Sequence, residues 1–316
     1  MKRRDFLITA AASLPLAGLL PLRTAFADDK VLRIGYQKYG TLVLLKEKGT
    51  LEGALEPLGF SVAWSEFPGG PQLLEALNVG AIDFGTAGEA PPIFAQAAGA
   101  PLIYVGFEPP APKGEAILVP KDSPLKTVAE LKGKKVALNK GSNVHYLLVR
   151  ALENAGISFK DIQPVYLPPA DARAAFEQGS VDAWVIWDPF LAAASAATGA
   201  RTLSDGENLV ANHQFFLAER GFATANPKLI DTVLQQLVAI DAWAKADPNG
   251  AAAVLSPKVG IPAEVLAVAL SRQGYGVAPL TPEVVAAQQK IADTFHELGL
   301  LPKPINVSDA VIKLGS

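Results

Sequence analysis

Apolar residues follow two rhythms along this chain. Short apolar runs, bounded by glycine, proline and polar turns, alternate with longer segments whose apolar positions recur at helical spacing. Residues 31–36 read as a first strand and 42–48 as a helix, with a second helical piece ending near Gly59. Residues 60–66 alternate apolar and polar and predict a second strand. Pro71 opens a helix over 72–79. In 80–92, Ile82 and Phe84 suit a buried parallel strand, Gly85 and Gly88 a sharp turn, and Pro91 and Pro92 the first turn of a helix. An ordinary strand-to-helix connection would look the same. Residues 102–107 predict a fourth strand. The series is β-α-β-α-β-α-β, the pattern of a parallel sheet flanked by helices.

A proline-rich piece at 109–112 interrupts this order, and the same layout then starts again. Residues 115–119 predict a crossing strand, 128–135 a short helix and turn, and 136–138 a strand. A polar turn at 139–143 leads into a helix over 144–155 with Gly156 at its C-terminal end. Strands follow at 162–167 and 181–186 around a helix at 170–178. A second crossing strand is expected at 213–218. The rest is alanine-rich and helical, in segments 227–246, 248–255, 262–272 and 282–298, most of them with proline at the start. The expected architecture is α/β with two lobes, each a mostly parallel sheet flanked by helices, joined by two crossings. Residues 28–112 form the first part of lobe 1, 113–213 form lobe 2, and 214–316 return to lobe 1 and supply the C-terminal helices.

The first residues change the picture. Lys2, Arg3 and Arg4, an uncharged and mostly apolar run from Phe6 to Leu22, and Ala25-Phe26-Ala27 form the three parts of an export signal. Arg3-Arg4-Asp5-Phe6-Leu7 resembles the twin-arginine signal; a general secretory signal with two arginines by chance is the alternative. Cleavage after residue 27 removes four basic residues and one acidic. It leaves 24 basic and 30 acidic residues, a formal charge of −6. Such a chain has no footprint for nucleic acid. With no further long apolar run, the mature protein is expected to be soluble, with no stable insertion in a membrane. Cysteine is absent, which excludes disulfides, thiolate catalysis and zinc–thiolate sites. His145, His213 and His296 lie far apart, and no Gly-x-Ser-x-Gly elbow, His-Glu-x-x-His helix or Walker loop is present, so a binding protein without cofactor or metal is expected rather than an enzyme.

A family resemblance rests on the order of several short motifs: Ile34-Gly35-Tyr36-Gln37-Lys38, Gly80-Ala81-Ile82-Asp83-Phe84-Gly85, Asp171-Ala172-Arg173-Ala174-Ala175-Phe176, Val181-Asp182-Ala183-Trp184, Asp188-Pro189-Phe190 and Ala242-Trp243-Ala244. In these the chain resembles periplasmic substrate-binding proteins of ABC transporters, in the branch for aliphatic sulfonates, taurine and nitrate. Residues 35–41 and 212–218 look most like the sulfonate-binding members. The resemblance implies a type II binding-protein fold and a small anionic ligand, an alkanesulfonate, held between the lobes. It also implies delivery to a permease with its ATPase subunit by a periplasmic monomer. Taurine, nitrate or another small anion is the alternative ligand; a thiamine-pyrimidine-related binding protein or enzyme is a more distant one.

A sulfonate is a permanent anion whose oxygens only accept, so it needs converging N–H and O–H donors and no base. Gln37, past the first strand, offers an amide; Lys38 beside it is expected to be solvated. Gly88 offers a backbone N–H. Glu89 is expected in the cleft, where a carboxylate repels an anion and would orient donors, meet an amine or favour a helix start. Ser142 and Asn143 open the helix of lobe 2 and either cap it or meet the anion. Trp187 would cover a tail, and Asp188 would orient a donor or receive an amine. Trp184 is expected in the core, His145 either on the surface or packed, Asp171 and Arg173 at a helix cap, and His213 near the cleft.

Overall fold

The structure, a computed structural model, describes residues 30–312. The export segment expected at 1–27 lies outside them. In chain order the elements are β1 (Lys30–Tyr36), α1 (Thr41–Lys48), α2 (Thr50–Leu55), β2 (Phe60–Glu66), α3 (Gly70–Asn78), β3 (Phe84–Gly88), α4 (Pro91–Ala97) and β4 (Leu102–Phe107). Then come β5 (Glu115–Val119), β6 (Lys135–Leu138), α5 (Asn143–Asn154), β7 (Gln163–Tyr166), α6 (Pro169–Glu177), β8 (Ala183–Trp187), α7 (Phe190–Thr198) and β9 (Arg201–Asp205). The chain ends with β10 (Gln214–Glu219), α8 (Arg220–Ala225), α9 (Pro227–Ala246), α10 (Pro248–Val259), α11 (Ala263–Ser271) and α12 (Pro282–Glu297).

Two five-stranded sheets result, in the orders β2-β1-β3-β10-β4 and β7-β6-β8-β5-β9. Each has one strand that runs against the other four. In the first sheet it is β10, antiparallel to β3 and β4; in the second it is β5, antiparallel to β8 and β9. These are the strands that follow the two crossings. β9 was not expected: Arg-Thr-Leu-Ser-Asp carries one apolar residue, enough for an edge strand but not for a strand pattern.

The stretch 80–92 departs from its expected form. Gly85 and Gly88 do not turn the chain; they lie within β3, which is buried along its whole length. A Cβ on Gly85 would come within 2.7 Å of Leu73 Cδ2 and 3.0 Å of the Gly35 carbonyl oxygen. The glycines thin the strand so that α3 can seat on it, which is a packing use of glycine. Pro91 and Pro92 do open α4, as their fixed φ favours.

Leu32, Ile34, Phe84 and Phe216 pack one face of the first sheet against α1, α9 and α10, while Tyr104, Phe215 and Leu217 face α3, α4 and α12. The second sheet has its own core around Val136, Leu138, Leu147, Trp184 and Val185, and Trp184 is buried as expected. Each such side chain stabilises by roughly 1.5–3 kcal/mol. α11 reaches across and packs on α7, so the C-terminal helices contact both lobes.

The two crossings bond to each other: Glu108 N to Gln214 O at 2.8 Å, Ala111 N to Ala211 O at 3.0 Å, and Gly206 N to Pro112 O at 3.1 Å. Beneath them the Thr41 hydroxyl lies 2.5 Å from Glu108 Oε1 and 2.6 Å from Asp241 Oδ1, with Gln273 Nε2 donating to it at 3.1 Å. One hydroxyl proton serves only one of these carboxyl groups, so the other holds a proton and donates to Thr41. Burial, and then the Asp241 charge, push Glu108 well above the usual carboxylate range. A raised carboxyl costs stability as pH climbs above its unfolded value. Glu108→Gln should therefore gain stability relative to the parent between pH 5 and pH 8. Thermal melts across that range check this; a variant that loses ground toward pH 8 contradicts it.

Candidate functional site

The carboxyl ends of β1, β3 and β8 and the start of α5 meet between the two sheets around a small polar cavity of about 20 Å³. Nine described residues line it: Gln37, Tyr39, Gly70, Thr86, Gly88, Ser142, Asn143, Trp187 and Gln214. None is charged. Five of the seven residues singled out from sequence, Gln37, Gly88, Ser142, Asn143 and Trp187, are brought together here.

Each is placed by local geometry. Gln37 follows β1, and its Nε2 donates to the Thr86 carbonyl at 3.1 Å. Ser142 occupies the N-cap position of α5, yet its hydroxyl donates to the Asn139 carbonyl at 2.7 Å and makes no cap bond. Of the first-turn N–H groups of α5, that of His145 donates to the Ser142 carbonyl at 3.0 Å, while those of Asn143 and Val144 have no partner among the described residues. Asn143 is the first residue of α5; its Nδ2 donates to Asn212 Oδ1 at 2.6 Å, and its amide lies against Gly88 of the opposite lobe. Tyr39 was not anticipated as a lining residue. Its hydroxyl is buried and has no partner among the described residues, and burial, with the nearby Asp188 carboxylate next, pushes its pKa well up. It remains a neutral O–H donor. Thr86, Gln214 and Gly70 were also missed. Thr86 sits in a run of small residues that looks like a turn, and Gln214 reaches the site only because β10 inserts beside β3.

Two expected site residues do not reach this cavity. Glu89 is buried, and its Oε2 accepts from the His213 N–H at 3.1 Å. It lines a separate cavity of about 310 Å³ beside the second crossing, with Tyr146, His213 and Gln288. Burial raises its pKa to about 7. Asp188 does not line the cavity: its Oδ1 accepts from the Ala192 N–H at 3.0 Å and its Oδ2 pairs with Arg272 Nη1 at 3.2 Å. Burial raises it to about 6, with Arg272 opposing. Glu89 was expected in the cleft and Asp188 to orient a donor or receive an amine, but a buried carboxylate goes where N–H donors or a guanidinium satisfy it.

The other expectations separate cleanly. His213 gives its ring Nδ1 to the Glu108 carbonyl at 2.8 Å and stays outside the polar cavity. His145 is fully buried. Pro168, not Asp171, is the N-cap of α6, and Arg173 pairs with Glu177 at 2.7 Å. Lys38 lies 3.8 Å from Glu66 at a neighbouring chamber of about 270 Å³. Phe67, Pro68, Pro168, Pro169, Ala170 and Phe190 wall that chamber, and it shares Gln37, Tyr39 and Trp187 with the polar cavity. No group of three His, Asp or Glu residues is placed to hold a metal among the described residues, and none of their helices is long and apolar enough to cross a membrane.

Chemically, the polar cavity offers hydroxyl, amide and backbone donors from both lobes and no fixed charge. Hydrogen bonds from neutral donors to an anion contribute roughly 1.5–3 kcal/mol each. They spare the site the cost of desolvating a second ion.

Known proteins resemble this chain along most of its length. Residues 27–256 match the NMT1-like family. An Escherichia coli relative named for binding aliphatic sulfonates is 49% identical over 304 residues, covering 94% of this chain and 95% of its own. The alkanesulfonate-binding protein of Xanthomonas axonopodis pv. citri, solved bound to MOPS, superposes with a TM-score of 0.86 at 48% identity over 89% of this chain and 98% of that one. The periplasmic aliphatic sulphonate binding protein of Escherichia coli gives 0.82 at 49% identity, over 91% and 93% of the two chains. The chain belongs to the NMT1-like family and is a relative of the aliphatic-sulfonate-binding proteins.

Proposed function

We propose that this protein is the periplasmic substrate-binding component of an ABC importer, capturing aliphatic sulfonates for sulfur acquisition and delivering them to a permease with its ATPase subunit. The observation that carries this is the pairing of an uncharged cavity, with donors from both lobes, and an apolar chamber that opens from it at Trp187. The head group takes the N–H and O–H donors and the tail takes the prolines and aromatics. Gln37, Gly88, Ser142, Asn143 and Trp187 are the ligand residues in this reading, joined by Tyr39, Thr86 and Gln214. Residues 28–112 with the return at 214–316 form one jaw, residues 113–213 the other, and the crossings at 108–114 and 206–213 the hinge. Binding by lobe closure needs no chemistry on the ligand, which fits a carrier rather than an enzyme. The sulfonate-binding relatives support the same reading.

Calorimetry of the purified protein against alkanesulfonates of one to eight carbons, taurine, sulfate and nitrate tests it. Alkanesulfonates should bind at least 100-fold more tightly than sulfate or nitrate, because only they fill both spaces. Taurine should bind more weakly than an alkanesulfonate of equal length, since its ammonium is desolvated against proline and aromatic walls and the chamber's one carboxylate, the exposed Glu66, is already paired with Lys38. Nitrate or sulfate binding as tightly as any sulfonate would overturn the assignment.

A further inference from the structure

We propose that His145 is the positioning residue of the anion site: its neutral ring holds the turn at 139–143 in place for the ligand, and the lobes close only around that neutral ring. The proposal rests on the anion-capture reading above. Gly141, in the left-handed region at φ +76°, donates its N–H to His145 Nδ1 at 3.2 Å. His145 N in turn donates to the Ser142 carbonyl at 3.0 Å. The ring and backbone of one residue therefore tie down the turn that presents Ser142 and Asn143. This fixes the tautomer, because an acceptor Nδ1 leaves the proton on Nε2.

The same ring is an inter-lobe contact. On its own lobe it meets Phe159 at 5.2 Å and Tyr166 at 6.0 Å; from the other lobe Phe94 of α4 stacks on it at 6.3 Å and Phe295 of α12 lies at 5.4 Å. His145 is 0% exposed, and its Nε2 has no partner among the described residues. The titratable groups that face it are Tyr166 and Lys140, a cation; no carboxylate from α4, α12 or β7 is there to stabilise an imidazolium. Burial, then Lys140, lower its pKa to about 4. A second proton would also have to enter at Nδ1, where the Gly141 N–H already points. Opening the clamp removes Phe94 and Phe295 from the ring and exposes it to water, which raises its pKa from the closed-state value toward the ordinary 6.5, while Lys140 and the Gly141 N–H on its own lobe still hold it below that value. The open form then binds more protons below that pH, and acid favours opening and release.

The test is calorimetry with 1-pentanesulfonate on the full mature chain from pH 7.5 to 5.0, for the parent, His145→Asn and His145→Phe. Asparagine keeps an acceptor near the Nδ1 position without titrating; phenylalanine keeps a ring without an acceptor. His145→Phe should bind tenfold or more weakly at pH 7.5, and His145→Asn should recover much of that loss. The ratio of parent to His145→Asn dissociation constants should rise severalfold, and at most about tenfold, between pH 7.5 and pH 5.5. Taking the ratio cancels the buried carboxyl groups Glu89 and Glu115, which titrate in both proteins. Parallel pH profiles, or parent-like binding by His145→Phe, would overturn the proposal. Nitrogen-15 NMR of the histidine rings in the ligand-free protein at pH 7.5 reads the tautomer without any ligand. A proton on Nε2, with a Gly141 amide shift that changes in His145→Phe, is the expected result; a proton on Nδ1 overturns the proposal. Should the parent bind no sulfonate while its ring shows the Nε2 tautomer, the functional reading fails and the hold of His145 on the turn stands.

Discussion

Gly88→Ala should weaken alkanesulfonate binding by at least 100-fold while the protein stays folded. A Cβ at this position would sit 2.0 Å from Asn143 Oδ1, 2.4 Å from its Cγ and 2.7 Å from its Nδ2. These atoms belong to the opposite lobe. Asn143 has no free direction to move, since its Nδ2 is bonded to Asn212 at 2.6 Å in a buried setting and a broken buried hydrogen bond costs about 1–3 kcal/mol. Gly88 closes β3 paired with Gln214, in a strand conformation that alanine also adopts. The added methyl therefore strains the closed clamp and not the isolated lobe. Separating the lobes relieves the clash, so the cost falls on closure and hence on affinity, at about 1.4 kcal/mol per tenfold. Calorimetry gives the affinity, and small-angle scattering with ligand shows whether the lobes still close. The melting temperature of the ligand-free variant should stay within about 3 °C of the parent, the scale of a 1 kcal/mol change. A dissociation constant within threefold of the parent would refute the role given to this contact.

The largest loss of stability should come from Arg272→Met. Asp188 is fully buried at the end of β8, and Arg272, just past α11, is its only cationic partner among the described residues. Removing one member of a buried pair typically costs about 3–5 kcal/mol, because the other charge is left behind. The sign with pH follows from Asp188 itself. Burial already holds its carboxyl at about 6, above an ordinary 3.8, against the pull of Arg272. Without the guanidinium it rises further, so the penalty grows as pH climbs through and beyond 6 and fades toward pH 4, where folded and unfolded states both tend to the neutral acid. Denaturant melts at pH 5 and pH 8 should show a small and a large loss respectively, and adding Asp188→Asn should restore much of the pH 8 loss. A loss of the same size at both pH values would show that the pair is not its source. Since Asp188 follows Trp187 and α11 packs on α7, this ion pair also ties the C-terminal helices to the tail side of the site.

Both predictions turn on residues whose part was only half legible. Gly88 stood out as a glycine at a strand end, and a ligand contact through its N–H was the natural expectation. Its steric role against Asn143 was not legible, because it depends on which side chain the other lobe brings against it. Asp188 looked like a site residue because it ends a strand. Nothing in the residues around it announces Arg272, 84 positions away, and the pairing exists only because α11 folds back over α7. Glu89 was drawn to the second crossing in the same way, by the His213 N–H. Tyr39 and Thr86 went unread for a different reason. A tyrosine in a polar turn and a threonine between glycine and alanine carry no periodic signal, and their roles come from the cavity they face.

The order of short apolar runs and helical segments, with a proline-rich break and a restart, determined the α/β class and the two-sheet layout, because the periods of strand and helix are local properties of the chain. The absence of cysteine excludes disulfides and thiolate chemistry by composition alone. The turn at 139–143 and the strand end at Gln37 were legible as donor-bearing positions for the same local reason. Only the tertiary structure decided which donors converge, since the polar cavity is made by β1, β3, β8, β10 and the start of α5 meeting across two lobes. Only it decided that the carboxylates do not line that cavity. A buried charge is placed by the partners that satisfy it, and those partners lie far along the chain.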